Sequence, residues 1–219
     1  MQFIDIHTHS FSHSDEVVAI KSFSLGEDDL SFFSGSKPIA VGLHPWYAKL
    51  ESLETQLVEL TKVANQKNVW FIGECGLDKL QGESIANQLQ IFKAQILLAH
   101  QVKKPLIIHC VKAFDELIAL KKTLNINVPM LVHGFNKSEQ LGNQLQHLGF
   151  HLSFGKAILN SDSAAAKLLA TLPHFFLETD DADVEIEEIY TAAANLKKCN
   201  VEALKARIFA DFKNLKYFN

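Results

Sequence analysis

The chain has 219 residues, a formal charge of −4, and is 47% hydrophobic and 21% charged, the balance of an ordinary soluble protein with enough length for a full core. Arg207 is its one arginine. The charge therefore excludes a broad nucleic-acid-binding surface, which needs concentrated Lys and Arg to displace counterions from phosphates. No apolar stretch approaches the length needed to cross a bilayer. The start, Met1-Gln2-Phe3-Ile4-Asp5, lacks the basic run of a secretory signal. Cys75, Cys110 and Cys199 show no paired spacing, which suits a reducing compartment. The expectation is one domain over residues 1–219, cytoplasmic and monomeric, with no membrane association and no obligate protein partner.

The first apolar run, residues 2–6, ends at His7-Thr8-His9. Alternate side chains of a strand share a face, so these two imidazoles can reach one ion, with Asp5 behind them. The bland alternative is a chance His-x-His in a chain of 10 histidines. A second run covers 16–23. About nine residues separate the two, too few for a crossover helix between parallel strands. The third run, 38–43, meets His44-Pro45-Trp46, where His44 either lines a pocket or braces the turn that Pro45 sets.

A helical pattern over 48–66 leads to the run 69–73, which meets Glu74 between Gly73 and Cys75-Gly76. A solvated acid at a strand corner is the plain reading. The flanking glycines instead suggest a backbone packed closely around a carboxylate able to bridge two ions. The clearest helix is 84–102, with Ile85, Leu89, Phe92, Ile96 and Ala99 at three- and four-residue spacing and Lys103-Lys104-Pro105 closing it. The runs 105–109 and 129–132 end at His109 and His133. Singly, each reads as a core histidine; at equivalent places in successive units they read as ligands. Helical patterns at 112–123, 137–147, 160–171, 186–197 and 201–216 surround two last strands, 150–154 and 174–178. The latter closes on Glu178-Thr179-Asp180, where a lone acid would usually cap a helix.

About eight strands alternating with helices indicate α/β architecture and a distorted TIM-type (β/α) barrel with abbreviated first units, irregular between its first strands. In such a barrel, side chains at the strand ends share one mouth. His7, His9, Glu74, His109, His133 and Asp180 then form a polynuclear metal site. Imidazole with carboxylate suits zinc, manganese or iron better than calcium. Cys75 and Cys110, each one residue beyond a ligand, should turn away by strand alternation. His13, His100, His147, His151 and His174 have no comparable setting and read as structural or exposed.

In order, Asp5-Ile6-His7-Thr8-His9, Gly42-Leu43-His44-Pro45, Gly73-Glu74-Cys75-Gly76-Leu77-Asp78, Gln88-x-x-x-Phe92 with Ala99-His100 and Pro105 to His109, His133-Gly134-Phe135, Leu172-Pro173, Glu178-Thr179-Asp180 and the closing Leu215 to Phe218 resemble the TatD family of metal-dependent deoxyribonucleases, in the amidohydrolase superfamily. The resemblance implies that His7, His9 and Asp180 hold one divalent ion, that His109 and His133 hold another, and that Glu74 bridges them. Zinc is the expected metal, with manganese or magnesium as alternatives. It implies phosphodiester hydrolysis by an activated water, with Glu74 and Asp180 as catalytic carboxylates and Asp180 able to accept a proton. The substrate would be DNA, at ends or in single strands, or a small phosphodiester.

The chain departs from the family where an arginine commonly follows the histidine of the third block: Val111 stands there, with Lys112 next to it. After Asp180, Asp181-Ala182-Asp183 replaces the usual proline and arginine-rich loop. These changes bear on the grip on DNA rather than on the ligands. Competing expectations are a PHP-type phosphoesterase for small esters, which opens similarly, an amide or lactone hydrolase, for which nothing shows the carboxylated lysine that many such enzymes use although Lys104 and Lys112 lie near the relevant strand, and a non-catalytic metal- or partner-binding barrel.

Overall fold

The structure, a computed structural model, describes residues 1–10, 14–28, 35–124 and 126–216. His13 and the closing Tyr217-Phe218 lie outside the described residues. Strands β1 (Phe3–Thr8), β2 (Val17–Ser24), β3 (Ile39–Gly42), β4 (Val69–Asp78), β5 (Leu106–Val111), β6 (Met130–Val132), β7 (Phe150–Phe154) and β8 (Phe176–Leu177) follow chain order in one sheet. Between and after them come α1 (Leu53–Ala64), α2 (Ile85–Val102), α3 (Phe114–Leu124), α4 (Glu139–His147), α5 (Ala164–Thr171), α6 (Ile186–Lys197) and α7 (Val201–Lys216). This is the expected α/β class, a distorted TIM-type (β/α) barrel. The irregularity between the first strands is real: β1 pairs in parallel with β2, but the register shifts between Asp5 and Thr8.

Two elements differ from the expected bounds. The helix expected over 48–66 begins as a 3₁₀ turn at Leu50–Ser52 before α1. Strand β4 does not stop at Gly73 but runs on to Asp78, pairing Cys75 to Asp78 with Ile108 to Val111 of β5. Its glycines are needed there. A Cβ on Gly73 would lie 2.4 Å from the Ile107 carbonyl oxygen, and one on Gly76 2.1 Å from that of His109. The glycines thus make room for the β5 backbone, and the strand continues through what reads in sequence as a corner.

By its contacts the chain divides into two compact units, Ser22–Met130 and the remainder, Met1–Lys21 with the chain from Leu131. Within Ser22–Met130, β3, β4 and β5 form a parallel ladder whose side chains, including Phe71, Ile72, Leu77, Ile107 and Ile108, are wholly buried with Phe92 of α2. Strands buried on both faces are near-continuous apolar runs for this reason. Ser84 caps α2, its hydroxyl accepting from the Asn87 N–H, and Lys103 ends it in the left-handed conformation.

In the other unit, β8 contributes two residues, paired with Ser153 and Phe154 of β7. The edge of β1 facing it is satisfied largely by side chains. The buried Tyr190 hydroxyl on α6 accepts from the Ile4 N–H at 3.1 Å and donates to the Ile4 carbonyl at 3.2 Å, taking the place of a strand. Desolvation raises the Tyr190 phenol above its ordinary pKa, so it stays protonated and able to donate. Tyr190→Phe strands both Ile4 groups in an apolar setting. It is expected to lower stability by about 1–3 kcal/mol, the cost of a buried polar group left without a partner. Urea denaturation measures this; an unchanged midpoint would contradict it.

Candidate metal centre

At the end of β1, all residues from Phe3 to Thr8 are buried and His9 emerges to solvent. The residue that reaches this end from β8 is Asp180. Its N–H donates to the His7 carbonyl at 3.0 Å and its own carbonyl accepts from His9 N–H at 3.1 Å. It sits at φ 55°, a left-handed backbone that aspartate tolerates better than most residues. Held there, Asp180 Oδ1 lies 3.4 Å from His7 Nε2 and 3.5 Å from His9 Nε2. His133 joins the group: its ring centroid is 4.2 Å from that of His7, and ligand atoms of His7, His133 and Asp180 all fall within 4.8 Å of one another.

Two buried carboxylates brace this group. Asp5 accepts the Thr179 N–H at 3.0 Å and the Thr179 hydroxyl at 2.7 Å. Burial pushes the Asp5 carboxyl up to about 7, partly countered by the hydrogen bonds from Thr179. Glu178, fully buried, accepts from the Gly134 N–H at 2.6 Å and from the Ser153 hydroxyl, and its Oε1 is 3.5 Å from His133 Nδ1. A histidine ligand usually has its other nitrogen held by such a carboxylate or carbonyl.

The second group lies wholly within Ser22–Met130. Glu74 Oε1 is 3.2 Å from His44 Nε2 and 2.8 Å from His109 Nδ1, and His109 Nε2 is 3.1 Å from Asp78 Oδ2. The two histidines differ in their hydrogen-bond partners. His44 Nδ1 accepts the Trp46 N–H at 3.2 Å, so in its neutral form Nε2 carries the hydrogen and donates to Glu74. Neutral His109 has one N–H for two carboxylates. With Nε2–H on Asp78, Nδ1 presents a lone pair to a Glu74 oxygen, a contact relieved by a second ring hydrogen or by a cation shared with that carboxylate. His44 therefore braces its turn, one of the two roles that its sequence context left open, and also orients Glu74.

Glutamines of α2 fix the strand ends that carry these residues. The Gln95 side chain accepts from Leu43 N–H at 2.7 Å and donates to Leu43 O at 3.1 Å. Gln88 does the same for Asp78, at 2.7 and 2.8 Å. Asp78, Glu178, Gln88 and Gln95 thus touch or hold the candidate residues without ending an apolar run of their own, although Asp78, Glu178 and Gln88 stand inside the motifs quoted above.

The donor chemistry fits a divalent metal. Ligand bonds of about 2.0–2.1 Å in tetrahedral geometry put neighbouring donor atoms about 3.4 Å apart, which is the spacing of Asp180 Oδ1 from both imidazoles. Among the described residues no cysteine enters a group of three candidate ligands. Cys75 is buried with its Sγ directed at Ile107 O, and desolvation raises its thiol pKa well above the ordinary value. His100, His147 and His174 are exposed, and His151 packs edge-on to Phe176. The expected alternation past His109 stops at Val111, since Lys112 adopts φ 53°.

A family model described as TatD related DNase matches residues 31–215. The chain is 29% identical over 184 residues to an uncharacterized metal-dependent hydrolase of Haemophilus influenzae, a match spanning 78% of this chain and 69% of that protein. It is 31% identical over 146 residues to the 3'-5' ssDNA/RNA exonuclease TatD of Edwardsiella piscicida, spanning 64% of this chain and 55% of that one. Among solved structures it resembles YjjV, a TatD homologue from Escherichia coli K12, with TM-score 0.81 and 22% identity over 98% of this chain and 97% of the other. That last likeness speaks to the fold.

The Asp78 contact yields a prediction about metal affinity. Asp78→Asn keeps the shape but no longer dictates which His109 nitrogen is protonated. Loss of such an outer partner typically costs 10–100-fold in affinity, so isothermal titration with zinc or manganese should show one weakened site in a folded protein. Wild-type affinity at every site would contradict this role.

Proposed function

The chain belongs to the TatD-related DNase family, and from that premise we propose that it is a metal-dependent phosphodiesterase acting on DNA ends or single strands. The observation that carries the reading is the convergence of Asp180 Oδ1 on His7 Nε2 and His9 Nε2 at co-ligand spacing. The proposed donors for two divalent ions are His7, His9, His133 and Asp180 in one unit, and Glu74 and His109 in the other. Bound there, such ions lower the pKa of a water and neutralise charge on a phosphate.

The protein's own groups do the rest. Asp180 has a carboxylate about one-third exposed, so an attacking water can reach it and hand it a proton. His7, buried at the strand end, and His9, at the solvent edge, bind and orient. Asp5 and Glu178 hold the backbone and His133 in place from behind. Zinc is proposed as the ion on the imidazole-rich donor set. A cytoplasmic monomer is likewise proposed, in keeping with three cysteines that form no disulfide. Among the described residues no helix is long and apolar enough to cross a membrane.

Charge shapes the substrate. Beside Asp180 opens a cavity of about 390 Å³ whose lining, among the described residues, includes Asp5, Asp183, Glu185 and Glu187 and neither Lys nor Arg. With Val111 in place of the family's arginine, little attracts a long polyanion. Short or single-stranded ends, which reach recessed ligands without distorting a duplex, are the proposed substrates. Single strands should be cut faster than long duplex at matched salt, and activity should vanish with chelator and return with divalent ion. Faster cleavage of duplex would overturn the preference.

Asp180→Asn tests the proton acceptor. The variant should fold, retain at least one metal and lose about a hundredfold or more in turnover, the usual scale for a missing general base. Near-normal turnover in the metal-loaded variant would rule the role out.

A further inference from the structure

The corner after β3 presents two neighbouring aromatic side chains to solvent: Trp46 is 36% and Tyr47 43% exposed. Single exposed aromatics are ordinary on protein surfaces. These two differ in how they are held. The Trp46 indole N–H donates to Asp78 Oδ2 at 2.7 Å, the same oxygen that lies 3.1 Å from His109 Nε2. The other oxygen, Asp78 Oδ1, accepts the Leu80 N–H at 2.7 Å. Trp46 also packs edge-on to His44 and His109, with ring centroids 4.9 and 5.6 Å away, and Tyr47 lies 6.3 Å from Trp46 at a steep angle. The indole is thus tied at its polar end and braced on one side, which fixes the plane it offers to solvent. One carboxylate sets both that plane and the orientation of a proposed metal ligand.

A chain with one arginine and a net charge of −4 gains little from counterion release along an extended nucleic-acid backbone. Stacking of bases on aromatic rings is the other general source of affinity for single strands, and it is indifferent to charge and tolerant of sequence. We propose that Trp46, with Tyr47 beside it, is the stacking subsite for the nucleobase next to the scissile phosphodiester. The proposal rests on the phosphodiesterase reading above and names the part of the substrate that this corner recognises. Because Asp78 links Trp46 to His109, a stacked base and the phosphate next to it are placed relative to one fixed group. Discrimination is then against substrates lacking a base, not among the four bases.

The test compares wild type, Trp46→Ala and Tyr47→Ala on a short single-stranded oligonucleotide with normal termini and on the same strand with abasic terminal residues. Trp46 also donates to Asp78, so its loss reaches both strands through that contact. Beyond this common effect, Trp46→Ala should raise KM for the base-bearing strand about tenfold more than for the abasic strand, within the range that loss of one stacked base gives. Tyr47→Ala should show the same pattern, more weakly. Equal shifts on both strands would overturn the proposal, since that is what a disturbed Asp78 alone produces; so would no shift on either. If wild type cleaves neither strand, the phosphodiesterase reading fails, and a binding measurement still decides the subsite. In Trp70→Phe protein the remaining indole is Trp46. Its fluorescence should be quenched by a hydrolysis-resistant phosphorothioate oligonucleotide and not by its abasic counterpart; identical responses to the two would overturn the subsite on their own.

Discussion

The Asp5 carboxylate, buried against Thr179, is the contact on which the cluster of His7, His9, His133 and Asp180 depends. A parallel strand has two edges to satisfy, and β8 offers β1 only a short stretch. The seam is completed by unlike parts in sequence: Tyr190 on both Ile4 backbone groups, Asp5 on the Thr179 N–H and hydroxyl, then backbone bonds between Asp180 and His7 and His9. Each part brings the next into register. Without Asp5 the turn at Thr179 loses its two acceptors, and Asp180 loses the position from which it meets both imidazoles. Burying an acid beside Glu178 is costly, as the carboxyl pKa near 7 records.

Asp78 plays the matching part in the other unit with the opposite electrostatic outcome. Burial pushes its pKa up, but hydrogen bonds from Trp46, Leu80 and His109 outweigh that and hold it below the usual carboxylate range. It stays ionised and fixes what it touches. The two carboxylates show how one residue type serves a strand seam or the setting of a histidine ring, according to whether desolvation or the hydrogen bonds it accepts weigh more: desolvation at Asp5, hydrogen bonds at Asp78.

Much of this was legible in the sequence because ligand-type residues follow apolar runs, and a buried strand exposes chemistry where it ends. His7, His9, His133 and Asp180 meet in one group on that logic, and His109 meets Glu74. What the sequence hides is contact across elements. Gly73 and Gly76 read as a corner because glycine is a turn residue locally, whereas β5 lying against them requires it within a strand. Gln95 holds Leu43, 52 residues away, and no local periodicity marks it. His44 stayed ambiguous for the same reason: its tautomer follows from the Trp46 N–H and from Glu74 together. His133 was paired with His109 by resemblance; its contacts within its own unit are with His7 and Asp180.

The central claim is that these donors bind divalent metal as two ions. Titration of freshly prepared metal-free protein with zinc or manganese, followed by calorimetry and by metal analysis after dialysis, tests it most directly. The account predicts saturation at two ions per chain, with His7→Ala and His109→Ala each reducing the count to one. Saturation of the wild-type protein at a single ion, or a count unchanged by either substitution, would contradict it.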